Sequence, residues 1–216
     1  MKAAKWLMIL SLAVCVAVLV PAAHADSFTL DYSASNGSGP FGTVDLTSID
    51  ANTVQVTLTL TSGEVFAVTG AGAGALGFSV DKSYTLVSSP ALTSGFSLST
   101  PGTYSFASSI GDFTSVITCS SCGNGTSPPN YSGPVTFQIT NAGGLSISDF
   151  ITNKGGYMFA SDIGSPDGQG GFNTFVVGGG PSTSVPEPGT LSMLGLGLGL
   201  LAFAALRRKQ AVQVLA

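Results

Sequence analysis

The stretch "TVQVTLTL" at 53–60 alternates without a break, Val54, Val56, Leu58 and Leu60 falling on one side of an extended chain and Thr53, Gln55, Thr57 and Thr59 on the other. Successive side chains of a strand point to opposite faces, so this period makes a strand with one buried and one wet face. A helix, whose faces repeat every 3.6 residues, cannot use it. The period of two returns in "VTFQIT" (135–140) through Val135, Phe137 and Ile139, and in "SFTLDYS" (27–33) through Phe28, Leu30 and Tyr32. "GFSLS" (95–99) and "YSF" (104–106) are shorter versions. Turn-forming runs separate them: "NGSGP" (36–40), "SSP" (88–90), "TPG" (100–102), "GNGTSPPN" (123–130) and "NAGG" (141–144). No part of 26–184 keeps a helical period beyond two turns. Such alternation belongs to antiparallel sheets with one solvated face. About ten short strands over this length predict an all-β body, an antiparallel sandwich or jelly-roll.

Charge is scarce and one-sided. Charged residues make up 8% of the chain, against about 25% in an ordinary globular domain. Between residues 26 and 184 the only cations are Lys82 and Lys154, facing nine aspartates and Glu64, a net charge of −8. Binding to a phosphate backbone needs clustered Lys and Arg to displace counterions, so nucleic acid is excluded as a partner.

Both ends are directed at membranes. Lys2 and Lys5 precede an apolar core from Trp6 to Val20, Pro21 breaks it, and Ala23-His24-Ala25 offers the small-x-small pattern read by signal peptidase. Residues 1–25 are therefore expected to be a signal peptide cut between Ala25 and Asp26. At the other end, 191–206 is apolar or glycine throughout except Ser192. Its sixteen residues reach about 24 Å as a helix, somewhat short of the roughly 30 Å hydrocarbon core, a gap that snorkelling basic side chains help to close. Arg207, Arg208 and Lys209 follow directly and act as a basic stop held on the cytoplasmic side. The expected organisation is a β-sandwich domain over 26–177, a Gly/Ser linker at 178–184, a transmembrane helix at 191–206 in the inner membrane with the body outside, and a short cytoplasmic tail at 210–216.

Pro186-Glu187-Pro188, then one apolar helix, then an arginine-led basic cluster: this order over "VPEPGTLSMLGLGLGLLAFAALRRK" (185–209) resembles the PEP-CTERM sorting signal of exported bacterial proteins. The resemblance implies that exosortase, a membrane-embedded cysteine peptidase, processes the chain near Pro186, Glu187 and Pro188. It implies further a transient inner-membrane anchor, followed by delivery to the cell surface or extracellular matrix of a bacterium that makes exopolysaccharide. Seven further residues, "QAVQVLA", extend beyond the basic cluster, where such signals usually end sooner. The resemblance says nothing about 26–184.

Within the body, Cys119 and Cys122 are the only cysteines, and in an oxidising exterior they are expected to form a local disulfide. Gly72 to Gly77 matches G-x-G-x-x-G in letters, but "FSVDKSYTLV" after it reads as strand where a dinucleotide site needs a helix. The sole histidine, His24, leaves with the signal peptide, so no Ser-His-Asp or Cys-His arrangement can be assembled. "SDIGSPDGQGG" places Asp162 and Asp167 in a glycine-rich loop whose carboxylates and carbonyls could take calcium, but the spacing matches no EF-hand and no metal is expected. The expectation is a non-enzymatic surface or matrix protein without cofactor, associated with exopolysaccharide. The alternative is a carbohydrate-binding module that stacks sugars on Tyr84, Tyr104, Tyr131 and Tyr157.

Overall fold

A computed structural model describes residues 25–180, except 34, 36–37, 68–73, 121 and 124–130, and in addition Gly199. The signal peptide up to residue 24, the sorting segment and nearly all of the expected helix 191–206 lie outside the described residues. Among the described residues no helix is long and apolar enough to cross a membrane.

The described body is built of strands: β1 (Ala25–Ser33), β2 (Ser38–Ser48), β3 (Thr53–Leu60), β4 (Val65–Phe66), β5 (Leu76–Phe78), β6 (Thr85–Leu86), β7 (Phe96–Ser99), β8 (Tyr104–Ser105), β9 (Asp112–Phe113), β10 (Ser115–Cys119), β11 (Val135–Thr140), β12 (Phe159–Pro166) and β13 (Phe172–Gly179). One 3-10 turn, Ile147–Asp149, precedes β12. The alternation is realised in space. Val54, Val56, Leu58 and Leu60 of β3 are buried, as are Val135, Phe137 and Ile139 of β11 and Phe28 and Leu30 of β1.

The strands form one antiparallel sheet in the order β6-β11-β3-β2-β1-β13-β12-β5-β10-β7, with β4 added to β12, while β8 and β9 pair separately. The sheet nearly closes on itself. A single segment, 85–99, connects its two margins. The Val87 amide donates to the Gln138 carbonyl at 2.9 Å and the Thr93 amide to the Thr136 carbonyl at 3.2 Å, after which the same segment continues as β7 on β10. The closed shape brings rings from distant strands together inside. Phe28 of β1 meets Phe159 of β12 at 5.2 Å, Phe41 of β2 meets Phe175 of β13 at 5.2 Å, and Phe78 of β5 meets Phe137 of β11 at 5.7 Å. Edge-to-face and tilted contacts at these separations are favourable for aromatic quadrupoles.

A second, smaller core lies on the outer side of the sheet, where Phe106, Ile110 and Phe113 are buried with Val116 of β10 and Ala160 of β12. Gly77 lies between those last two strands, opposite Val116 and Ala160, and the Phe106 ring occupies the space a side chain there would need.

The all-β body is as expected, but in place of two stacked layers of a sandwich or jelly-roll the strands form one nearly closed antiparallel sheet, and two boundaries differ as well. "NGSGP" was expected as a turn over 36–40, but β2 already begins at Ser38. The linker expected at 178–184 starts later, because β13 continues through Gly179. Gly178 is held there by packing: the Tyr157 ring covers its Cα so closely that a Cβ would stand 2.7 Å from Tyr157 Cδ1.

Candidate functional site

The sorting residues Pro186, Glu187 and Pro188, the basic cluster Arg207, Arg208 and Lys209, and all of the signal peptide before Ala25 lie outside the described residues. What the structure places is the body's approach to them. Ala25 is the first residue of β1, opposite Thr47 of β2, and Asp26 lies opposite Leu46. β13 runs antiparallel to β1, with Gly178 opposite Tyr32 and Val177 opposite Ser33. The last strand therefore travels toward the Ala25 end of the sheet as it leaves for the sorting segment.

Cys119 and Cys122 are joined, their sulfurs 2.03 Å apart. Cys119 is the last residue of β10 and buried, so the bridge closes a small ring where the strand leaves the sheet. The glycine motif at 72–77 runs directly into β5 at Leu76. A strand stands where a dinucleotide site would need the N-terminus of a helix.

Asp162 and Asp167 do not share a loop. Asp162 is buried in the middle of β12, and Asp167 follows five steps of extended chain later, about 16 Å away, far beyond shared coordination of one cation. The Asp167 carboxylate serves its own turn, accepting the Gln169 amide at 2.7 Å and the Gly171 amide at 2.9 Å. Those two bonds, the larger influence being that from Gln169, hold its carboxyl below the ordinary carboxylate range.

All four tyrosines named as sugar platforms pack against the body. Tyr84 packs 6.0 Å from Phe78 and its hydroxyl donates to the Ser115 hydroxyl; burial pushes its phenol up. Tyr131 packs 5.0 Å from Phe96, and its hydroxyl donates to the Pro134 carbonyl at 3.2 Å. Tyr104 lies against the outer core and over Gly102. Tyr157 also packs against the outer core and over Gly178. Its ring pairs with that of Tyr32 at 5.2 Å, and Tyr32 is one of the few large apolar side chains left exposed. Burial pushes the Tyr157 phenol up, and Tyr32 and Asp31 beside it add to the shift. Asn153 sets this tyrosine, its Oδ1 accepting the Tyr157 amide at 3.0 Å and its Nδ2 donating to the Ile110 carbonyl at 2.9 Å. Tyr32 carries no local signal for this role, because its partner is 125 residues away.

The ion pair between buried Asp149 and exposed Lys82 is structural. Lys82 Nζ reaches Asp149 Oδ1 at 3.0 Å and donates to the Gly144 carbonyl at 3.3 Å, while the Ser146 amide donates to Asp149 Oδ2 at 2.7 Å. Burial alone would raise the Asp149 carboxyl; the bonds from Lys82 and Ser146 outweigh it and leave the carboxyl below its ordinary value. A carboxyl lowered on folding adds stability above its unfolded pKa, about 3.9, and loses it as pH falls through the folded value. Asp149→Asn is expected to cost about 2 kcal/mol at neutral pH, the scale of hydrogen bonds to a charged group. Its deficit against the parent should shrink below about pH 4 in urea unfolding, the region where the parent protonates. A deficit that stays constant down to pH 2 would mean that the carboxylate charge contributes nothing.

No curated protein and no solved structure matches this chain. The C-terminal segment does match a family: residues 184–209 fit the model of the PEP-CTERM protein-sorting motif. That segment contains the Pro-Glu-Pro core, the apolar stretch and the basic cluster. The chain thus carries a PEP-CTERM protein-sorting motif at residues 184–209, the signal of an exported protein.

Proposed function

We propose that this chain is an exported, non-enzymatic protein of the cell surface or extracellular matrix. Signal peptidase cuts it after Ala25, the helix at 191–206 anchors it briefly in the inner membrane, and exosortase releases it near Pro186-Glu187-Pro188. The observation that carries this reading is the sorting motif over 184–209, which begins five residues after a complete β-body ends at Gly179. Proline fixes its own φ and steers the residue before it away from the helical region, and a Pro-Glu-Pro core therefore suits a peptidase that takes its substrate extended. A non-enzymatic body is supported by the loss of the only histidine with the signal and by the engagement of Asp149 and Asp167 in their own turns.

The test replaces Glu187 by Ala and follows the mass and location of the product in the source organism. The parent should appear outside the inner membrane as a product ending near Pro186, and Glu187→Ala should remain full length and membrane-bound, with release down at least tenfold. Unchanged trimming of the variant would overturn the reading. The alternative, a carbohydrate-binding module built on stacked tyrosines, is weakened by the packing of Tyr84, Tyr104 and Tyr131 into the body.

A further inference from the structure

We propose that the outer face of β1, β2, β3 and β11 is a binding surface for an uncharged, hydroxyl-rich polysaccharide chain. The proposal rests on the reading of the chain as a surface or matrix protein and names what the body holds there.

The face is defined by register. Thr43 of β2 lies opposite Thr29 of β1 on one side and Thr59 of β3 on the other. The next row runs Asp45, Thr57, Thr136 across β2, β3 and β11. These residues alternate with the buried Val44, Leu46, Val56, Leu58 and Phe137, so they stand outward by the strand period. Neighbouring strands lie about 4.8 Å apart and alternate residues about 6.8 Å apart along each strand. The face is therefore a grid of short hydroxyl side chains about 14 Å wide and 20 Å long.

Three properties of this grid point to its ligand. First, its polar groups are already oriented by one another. The Thr57 and Thr136 hydroxyls are 3.4 Å apart, and toward the end of the face the buried Thr53 hydroxyl donates to that of Thr140 at 3.2 Å and the buried Gln138 amide holds Gln55 Oε1 at 3.0 Å. Short, mutually held side chains lose little rotamer freedom when a ligand arrives. Second, the grid is almost without charge. No lysine or arginine occurs on any of the four strands, and Asp45 is the only charge in these rows. A neutral face on a body of net charge −8 repels polyanions and gives a polycation no cluster of carboxylates. A neutral polymer of hydroxyls meets donors and acceptors at every step.

Third, the sheet twists. Adjacent strands are rotated by about 20–25°, so four of them accumulate roughly 60–75°. A rigid crystalline plane would touch one or two strands and lift away from the rest, whereas a flexible single chain can follow the twist. Within these rows no aromatic side chain stands outward, and Tyr32, exposed near the far end of β1, is already paired with the Tyr157 ring at 5.2 Å, so each contact with the rows is a hydrogen bond or a threonine methyl against sugar C–H groups. Each is weak singly, and affinity grows with the number of sugars engaged in one chain.

The test uses the full chain, purified in a detergent without a sugar headgroup. It is run through native gels containing dextran, soluble starch, barley β-glucan, galactomannan or alginate, and sedimented with microcrystalline cellulose. Retardation is expected with at least one neutral polymer and not with alginate, and short oligosaccharides of the retarding polymer should compete at least tenfold less well than the polymer itself. The triple variant Thr43→Ala, Thr57→Ala, Thr136→Ala should lose at least tenfold in retention while its melting temperature stays within a few degrees. Thr57→Arg alone, which sets a long charged side chain in the middle of the grid, should do the same. Ser97→Ala with Thr118→Ala, at the hydroxyl pair between β7 and β10, should leave retention unchanged. Retention by no polymer, by alginate as strongly as by neutral chains, by cellulose alone, or unaltered in the triple variant would each overturn the proposal. Because the readout is binding by purified protein, loss of retention alongside normal trimming at Glu187 sinks this inference and leaves the sorting reading intact.

Discussion

Gly77→Ala is expected to lower stability by about 3 kcal/mol and the melting temperature by roughly 6–12 °C, although it adds a single methyl group. Backbone propensity predicts the opposite sign. Glycine weakens a strand interior, and alanine in the same extended conformation would be neutral or better. The cost comes from above the sheet. A Cβ at Gly77 would stand 2.7 Å from Phe106 Cζ and 3.0 Å from Phe113 Cδ2, and those two rings pack edge-to-face at 5.4 Å on the outer core. Either the Phe106 ring is expelled, exposing a buried aromatic, or β5 shifts away from Val116 and Ala160. A double-mutant cycle separates this from any intrinsic dislike of alanine. In a Phe106→Ala background the ring is gone, and Gly77→Ala should cost less than about 1 kcal/mol. The same cost in both backgrounds would show that the ring does not sit on Gly77.

The same residue shows what a linear reading can and cannot reach. Period two placed β1, β3 and β11 and their buried sides, because a half-buried strand writes its two environments into neighbouring residues. β12 and β13 were hidden. "SDIGSPDGQGG" looks like a loop by composition, yet its first six residues are strand. Gly178 and Gly179 look like the start of a linker, yet they end β13. In both cases the determinant is distant in sequence: Tyr157 over Gly178, Thr29 beside Gly179, Phe106 over Gly77. A glycine that makes room for a ring and a glycine that frees a loop are the same letter.

The candidate sites divide in the same way. The sorting motif was legible because it is linear, three parts in a fixed order within 26 residues, and the family match covers that stretch. The hydroxyl face was half legible. Thr53, Gln55, Thr57 and Thr59 announce an outward side of β3, but their partners on β2 and β11 are set by pairing, which period alone does not specify. The shared loop expected for Asp162 and Asp167 is absent because strand and turn assign the two carboxylates to different places.

Phe78→Ala, one residue along from Gly77 and on the opposite face, should cost about 4 kcal/mol, the usual scale for removing a fully buried phenylalanine. The Phe78 ring has no exposed surface and touches three others, Phe137 at 5.7 Å, Tyr84 at 6.0 Å and Phe150 at 6.0 Å. Phe137 is on β11, near the opposite margin of the sheet from β5, so this ring joins parts of the sheet that no backbone ladder connects directly. Its loss opens a cavity and weakens the closure together. In urea the midpoint should fall while the slope stays constant, and Phe78→Leu should recover more than half of the deficit. A cost below about 1 kcal/mol would mean that the two margins do not meet through Phe78. The variant also separates folding from sorting. With a typical total stability of about 5–15 kcal/mol, a body lacking 4 kcal/mol remains mostly folded but opens far more often to proteases. The amount of released product should therefore fall while each surviving molecule is still trimmed at the same bond. Glu187→Ala should give the reverse, a stable body that is not released. If Phe78→Ala instead accumulates untrimmed chain in the inner membrane, the folded body itself is needed to present the motif.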